Sequence, residues 1–346
     1  MKLRYATVCS GIEAMSVSVH PLGWEPVWLS EIDPFACAVL DHHYPHVPNL
    51  GDMLKIKGKN YEGKIDIIAG GTPCQSFSTA GLHKGLEDKR GQLSTAFAKL
   101  ARDTQSPWLL WENVYGALVL DKGIPFARIL QGFTGRKIAP PDRGWKSAGI
   151  LIGKPGHYSV AWRVLDCQYT RVAGYDRAIP QCRRRIWLVG YRGTWTAPAE
   201  ILIGAKSQPP ILRPDRVPMH RGARSAPGSA GNPIIILGDT INRHPANEFI
   251  ARKKGFRTGS SFTIVTRRDH CILAGHGIRR VTALEAERLQ GFEDGYTDVP
   301  YRGRGATQGK RMFAIGNSWP VNCARWVCSR IDDYVAGRLQ DPGPLG

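Results

Sequence analysis

Two apolar runs that do not alternate with polar residues constrain this chain more than any other feature. Lys64 to Ala69 is near-continuous in Ile and Ala, broken by Asp66, and ends at Gly70-Gly71; Trp108 to Trp111 is wholly apolar and ends at Glu112-Asn113. A strand with one face in water alternates, so an unbroken run implies cover on both faces. Between the two, Gln92 to Ala101 places Leu93, Phe97 and Leu100 on one side of a helix. Lys2 to Val8, Pro26 to Ser30, Ser159 to Leu165 and Arg185 to Gly190 read as further strands. Helical segments run from Ser10-Gly11 through Val19 and onward from Pro34, a residue suited to a first helical turn. The pattern predicts an α/β fold, a parallel sheet with helices on both faces.

The character changes after Tyr191. Gly193 to Gly231 is rich in Pro, Gly, Arg and Ser, and short β-type runs follow at Ile234 to Leu237 and Ser261 to Thr266. Thr282 to Leu289 and Trp319 to Val335 read as amphipathic helices. The 346 residues carry a net charge of +18, and Gly193 to Arg280 holds 14 Lys and Arg against 5 Asp and Glu. Half of the excess charge therefore sits in a quarter of the chain, which points to a polyanion partner, with a solubilising surface as the bland alternative. Hydrophobic residues at 42% exclude a long disordered chain. No apolar run approaches the roughly 20 residues of a membrane span, and Met1 to Tyr5 lacks a signal-peptide core, so a soluble cytoplasmic protein without membrane contact is expected. The eight cysteines include no Cys-x-x-Cys pair and no zinc-like Cys/His cluster, so neither a disulfide framework nor a metal is expected.

In open α/β sheets ligands bind beyond the carboxyl ends of the strands. Those ends carry Cys9-Ser10-Gly11, Glu31, Gly70-Gly71-Thr72-Pro73-Cys74-Gln75 and Glu112-Asn113. Gly11 followed 20 positions later by an acid is the ribose-holding arrangement of nucleotide-type cofactors, although the Gly-x-Gly-x-x-Gly pattern of dinucleotide enzymes is missing. Asp52 is either a reader of an adenine amino group or a turn acid after Gly51. Cys74, set just after a buried strand among glycines and a proline, is a nucleophile on a rigid base, and the Gly- and Ser-rich segment to Gly91 resembles a loop that closes over a substrate. Glu112 can hydrogen-bond or protonate a ring nitrogen, or merely cap a turn. On the strand from Pro180, alternation points Arg183 and Arg185 together, with Arg184 opposite, for phosphate or carbonyl binding or as a basic edge.

These motifs, in this order, resemble the DNA (cytosine-5) methyltransferase family of the kind common in phages and prophages. The resemblance rests on Ser10-Gly11-Ile12, Glu31, Asp52, Pro73-Cys74-Gln75, Glu112-Asn113-Val114, Gln181-x-Arg183-x-Arg185, the stretch from Arg280-x-Thr282 through Glu287-Arg288-Leu289-Gln290-Gly291-Phe292, and Gly316-Asn317-Ser318. It covers about residues 3 to 335. It implies a Rossmann-like S-adenosylmethionine-dependent sheet with a smaller, loop-rich, mainly β target-recognition lobe. The catalytic domain would span 1–192, completed by 306–340, and the recognition domain 193–305.

The resemblance further implies S-adenosyl-L-methionine as cofactor, surrounded by Cys9, Ser10, Gly11, Ile12, Glu13, Glu31, Ile32, Asp52, Met53, Pro73, Asn317 and Ser318. Glu31 would hold the ribose, Ile32 would pack on the adenine and Asp52 would bind its amino group. Cys74 would add to C6 of an extruded cytosine in double-stranded DNA, Glu112 would bind N3 and the exocyclic amine, Arg185 the carbonyl, and Arg183 would support the thiolate and a nearby phosphate. Gln75, Ser78, Arg183, Arg252, Lys253, Arg257, Arg267 and Arg268 would contact DNA. A monomer is expected, working beside a cognate restriction endonuclease where one exists. Cys9 and Glu13 depart from the family's usual Phe and Gly. Glu13 would pair with the cationic cofactor or point to solvent. Competing readings are a tRNA cytosine-5 methyltransferase with the same Cys and Glu, a silent DNA-binding homologue, and a dinucleotide oxidoreductase, against which the missing third glycine counts.

Overall fold

The computed structural model describes residues 2–72, 91–204, 235–237, 256–258, 261–262, 271–274 and 277–339. Pro73, Cys74, Gln75, Ser78, Arg252, Lys253, Arg267 and Arg268 lie outside the described residues, as does the rest of the segment from 73 to 90. Two compact units divide the chain: 1–165 with 184–208 and 324–346, and 166–183 with 209–323.

The first unit is built on a seven-stranded sheet. Its strands are β1 (Arg4–Val8), β2 (Glu25–Trp28), β3 (Ile67–Gly70), β4 (Trp108–Val114), β5 (Ala148–Leu151), β6 (Ser159–Asp166) and, after the short β7 (Gln181–Cys182) of the second unit, β8 (Arg184–Tyr191), in the order β2-β1-β3-β4-β8-β6-β5. β2, β1, β3 and β4 are mutually parallel, as the unalternating runs predict. The sheet as a whole is mixed, which corrects the expectation of a parallel one: β8 runs antiparallel to β4, and β5 antiparallel to β6. Residues 152–158 between β5 and β6 are too few for the crossover that parallel neighbours need. The reversal at β8 matters for the site, because it brings the start of β8 beside the end of β4, with Arg185 opposite Val114 and Trp187 opposite Glu112.

Helices α1 (Ala14–Val19), α2 (Pro34–His43), α3 (Gly91–Asp103), α4 (Ile124–Thr134) and α5 (Thr196–Leu202) belong to this unit. α2 starts where the sequence implies, with Pro34 in the first turn and the Asp33 carboxylate accepting from the amides of Phe35 and Ala36. Trp28, Trp111, Phe97, Phe126, Phe133 and Tyr158 are fully buried in the core beneath α3 and α4.

The second unit holds a four-stranded sheet, β9 (Ile235–Leu237), β10 (Phe256–Thr258), β12 (Cys271–Ala274) and β13 (Gly277–Arg280), in the order β10-β9-β12-β13. It also contains β11 (Ser261–Phe262), which pairs with β7, and the hairpin β14 (Pro300–Tyr301) and β15 (Arg304–Gly305). Helix α6 (Ala283–Gln290) opens on a capping box between Thr282 and Glu285 and ends at Gly291, whose φ of 89° requires glycine. α7 spans Gln308–Asn317 and α8 Val321–Val335, the chain passing from the second unit to the first within α8.

The division differs from the expected 1–192, 193–305 and 306–340 because 166–183 and 306–323 associate with the second unit. Hydrogen bonds explain this. Asn322 donates to the carbonyls of Cys167 and Thr170, both at 2.8 Å, and Gln290 donates to the carbonyl of Ile315 at 2.9 Å. The buried Glu287 receives Arg311 at 3.0 Å and the amides of Gly295 and Thr297 at 2.8 Å. The later half of α8 is held in the first unit by Arg325, which donates to the carbonyl of Val17, and by Asp332, which accepts from the Trp24 indole. Among the described residues no helix is long and apolar enough to cross a membrane.

Candidate active site

Three chain segments of the first unit converge at the ends of β1, β2 and β3. After β1 the main chain takes left-handed φ values at Cys9 (49°), Gly11 (57°) and Glu13 (62°), winding it into a tight loop before α1. Left-handed backbone is costly for residues with a Cβ, so Cys9 and Glu13 hold it only because their surroundings fix them. The amide of Gly11 donates to the Glu31 carboxylate at 2.7 Å. The same carboxylate accepts from the amides of Ile32 and Asp33, each at 2.8 Å. Glu31 is thus gripped by three amides, and the 20-residue spacing read from the sequence is a real contact between neighbouring strand ends. Asn49 completes the corner, its carbonyl oxygen accepting from the amides of Glu31 at 3.0 Å and Gly51 at 3.1 Å.

Burial and charge distinguish the groups around this corner. Burial pushes the Cys9 thiol up to about 12, with the negative charges of Glu31 and Asp52 adding to it, so Cys9 stays a neutral thiol and is no nucleophile. Asp52 caps the short turn Met53–Lys55 through the Leu54 amide at 3.0 Å, and Met53 is buried. Ile12 is fully buried, while Ile32 is 70% exposed, an aliphatic surface beside Glu31 that lacks a covering among the described residues. Glu13 is 1% exposed, which corrects the expectation that it points to solvent. Its carboxylate turns inward because the left-handed main chain carries it over α1, where it accepts from the Ser16 amide and hydroxyl at 3.2 and 3.0 Å and from the Thr7 hydroxyl at 2.9 Å.

A second cluster lies at the paired ends of β4 and β8. The Arg185 Nε sits 3.1 Å from a Glu112 oxygen, with both side chains mostly buried, at 11% and 8% exposure. Ion pairs with this little solvent cover are held by geometry rather than by mutual attraction alone. Beside it the Arg184 guanidinium lies 4.3 Å above the ring of Tyr115. Asn113, between Glu112 and Val114, donates to the carbonyl of Thr72 at 2.9 Å, and the Trp111 indole donates to the Thr72 hydroxyl at 3.1 Å. Thr72, two residues before Cys74 in the sequence, is therefore clamped onto Asn113 and Trp111 of β4.

Arg183 departs from its expected place. It belongs to the second unit, is 1% exposed, and donates to the carbonyls of Gly316 and Ser318 at 2.9 and 2.7 Å. A phosphate contact is closed to a guanidinium so deeply buried. Alternation fails here because Arg183 lies in neither strand, between the end of β7 and the start of β8, so it need not share a face with Arg185. Asn317 is exposed and Ser318 buried, both in the second unit, and the main chain of Arg257 lies in β10. Asn49, Thr7 and Ser16 carry no local signature, because they act through contacts distant along the chain or through a main-chain twist. Asn113 was visible as part of a motif, but its partner was not.

A family profile described as C-5 cytosine-specific DNA methylase matches residues 3–136, the stretch that holds the left-handed loop, Glu31, Cys74 and Glu112. Residues 3–136 thus carry a C-5 cytosine-specific DNA methylase domain. Among curated relatives of this methylase, the Type II methyltransferase M.DsaV of Dactylococcopsis salina is 25% identical, over 96% of this chain and 87% of that protein. A protein of Escherichia phage P1 named DNA N-6-adenine-methyltransferase is 29% identical over 96% of this chain, which spans 62% of that longer relative. The crystal structure of the Dnmt2 methyltransferase of S. pombe superposes with a TM-score of 0.61 at 15% identity, covering 96% of this chain and 99% of that one, a likeness of fold.

Proposed function

We propose that this methylase transfers a methyl group from S-adenosylmethionine to C5 of a cytosine in duplex DNA, through a transient bond from Cys74 to C6. The observation that carries the proposal is the Arg185–Glu112 pair at 3.1 Å, flanked by Asn113, which donates to the carbonyl of Thr72 at 2.9 Å, two residues before Cys74 in the sequence. A cytosine ring offers C5 as a poor nucleophile. A thiolate adding to C6 breaks the C5–C6 double bond and moves an electron pair toward C5. That pair forms the bond to the incoming methyl carbon as the methyl–sulfonium bond breaks and a neutral thioether leaves, after which a base removes the C5 proton and the electrons return to expel the Cys74 sulfur. Glu112 is suited to hold N3 and the exocyclic amine, favouring the electron shift, and Arg185 to hold the ring carbonyl while keeping Glu112 in position. A ring buried in a duplex cannot present C6 to sulfur, so the base must leave the stack.

The corner at Gly11, Glu31 and Ile32 suits S-adenosylmethionine on chemical grounds. Three amides fix the Glu31 carboxylate with lone pairs left for ribose hydroxyls, and the exposed Ile32 offers an aliphatic face to a purine. Asp52 would accept from the adenine amine, and Ser10 and Gly11 would line the methionine portion. When bound, this group supplies an electrophilic methyl on a sulfonium. The basic stretch between 193 and 280 is the proposed recognition region for DNA.

The test measures label transfer from tritiated S-adenosylmethionine into duplex DNA and into tRNA, with the modified nucleoside identified chromatographically. Labelled 5-methyl-2′-deoxycytidine in DNA, lost in a Cys74→Ser variant that still binds DNA, is expected. N6-methyladenine as product, label in tRNA alone, or turnover retained without the thiol would each overturn the proposal.

A further inference from the structure

The buried carboxylate of Glu13 serves no step of that chemistry, yet it is the end point of a chain of hydrogen bonds through the cofactor corner. Thr7 donates its hydroxyl to Glu13 at 2.9 Å and lies 2.7 Å from the Ser10 hydroxyl. The Ser10 oxygen in turn accepts from the Ser30 amide at 3.0 Å, and the Ser30 hydroxyl donates to the carbonyl of Gly51 at 2.6 Å. On the other side Ser16 donates to Glu13 and lies 2.6 Å from the Tyr5 hydroxyl. An ionised carboxylate only accepts. Since the single Thr7 proton goes to Glu13, the 2.7 Å contact is made by the Ser10 proton, for which the carbonyls of Thr7 and Ser30 lie farther off at 3.3 Å. By the same logic the Ser16 proton goes to Glu13 and the Tyr5 proton to Ser16. One acceptor therefore sets the direction of every hydroxyl from Tyr5 to Ser10, and with it the place of Ser10 and Gly11 between β1 and β2.

We propose that Glu13 is a positioning residue for the methyl donor, its carboxylate orienting the Thr7–Ser10–Ser30 chain so that the Gly11 amide and Glu31 are set before the donor binds. This rests on the reading of the corner as the S-adenosylmethionine site. It explains why an acid tolerates a φ of 62° at a place where a glycine would be unstrained. Pre-set loops gain affinity by removing the cost of ordering at the moment of binding, so the effect belongs to binding rather than to transfer.

Two substitutions separate side chain from main chain. Glu13→Gly keeps the left-handed backbone without strain but removes both acceptor oxygens, whereas Glu13→Gln keeps the side chain's size and one acceptor oxygen and turns its amide nitrogen, a donor, toward Ser16 or Thr7. The full chain is titrated with S-adenosylmethionine by calorimetry at about pH 8, where most of the carboxylate is ionised, and assayed for methyl transfer. The Gly variant should bind about tenfold more weakly, as loss of one charge-assisted hydrogen bond implies, with kcat at saturating donor unchanged. The Gln variant, which keeps one acceptor and places a donor where the other stood, should recover only part of that affinity. Thr7→Val, which breaks the chain at nearly constant volume, should also weaken donor binding with kcat retained, and it decides the matter if the Gly variant does not fold. A Gly variant or Thr7→Val that binds the donor as tightly as the parent, or that loses kcat at unchanged affinity, overturns the inference alone. A parent chain that binds no S-adenosylmethionine overturns the reading of the corner and the inference together.

Discussion

Replacing Arg183 by Met distinguishes a buried brace from a DNA contact. The guanidinium donates to the carbonyls of Gly316 and Ser318 at 2.9 and 2.7 Å from a position 1% exposed. Met fills a comparable volume but offers no donor, so both carbonyls lose a charged partner in a place water does not reach. A hydrogen bond to a charged group contributes about 1.5–3 kcal/mol. Two of them give about 3–6 kcal/mol, and removing the cost of burying the charge offsets part of this, leaving about 3 kcal/mol. In a unit of this size each kcal/mol shifts the midpoint by about 3–4 °C, so Tm should fall by about 10 °C. Calorimetry on the full chain measures the midpoint, and duplex DNA binding at several salt concentrations measures phosphate contacts, each of which adds about 0.9 to the slope of log K against log salt. The buried-brace reading requires a lower Tm with the slope unchanged at temperatures where the variant is folded. Arg184→Ala, which removes an exposed guanidinium stacked on Tyr115, provides the control and should leave Tm within about 1 °C. A variant of Arg183 with an unaltered midpoint and a slope reduced by about one would refute the reasoning and restore the phosphate contact that strand alternation suggests.

Three further outcomes follow from other contacts. Glu112→Gln should lower kcat by about a hundredfold or more, because the amide cannot supply a proton to the ring, while donor affinity measured by calorimetry stays unchanged; equal turnover would remove Glu112 from the reaction. Burial raises the Glu13 carboxyl from the ordinary 4.5 to about 7, with the nearby charge of Glu31 adding to the shift. The folded chain thus holds this proton more tightly than the unfolded one. The associated stability is fully present below about pH 4.5 and is lost as pH rises through about 7, a difference of about 3 kcal/mol. Denaturant titrations of the parent and of Glu13→Gln should therefore converge toward acid and part toward neutral pH in favour of Gln, and parallel profiles would show a carboxyl with no raised affinity for its proton. Gly291→Ala places a Cβ at a φ of 89°, 2.8 Å from Ile179 Cδ1 and 3.0 Å from Val321 Cβ, and should cost about 2–3 kcal/mol through strain and overpacking; a Tm within 1 °C of the parent would contradict the fit.

What the sequence made legible was whatever depends on short-range pattern. The parallel core β2-β1-β3-β4 follows from runs such as Lys64 to Ala69, and the Gly11–Glu31 contact follows from a spacing that parallel neighbouring strands convert into proximity. Direction is a different matter. An unalternating run reads the same both ways, so the reversal of β8 that sets Arg185 against Glu112 left no mark in the sequence. Alternation located Arg185 correctly on its strand but was carried one residue too far toward Arg183, where the chain lies between β7 and β8 and period two has no meaning. The inward turn of Glu13 was hidden for a related reason: Glu is a poor cap, and only the positive φ, a property of the folded loop, turns its carboxylate onto Ser16 and Thr7 rather than toward solvent. Asn113 shows the general limit. Its motif marks it out, yet its partner Thr72 lies 41 residues earlier, and the contact exists because β3 and β4 end side by side. The residues that do chemistry stand at strand ends, where local pattern finds them. Those that hold them in place are recruited across the sheet, where pattern along the chain carries no record. The methylase site is thus half written in the sequence, and the other half is a consequence of strand order.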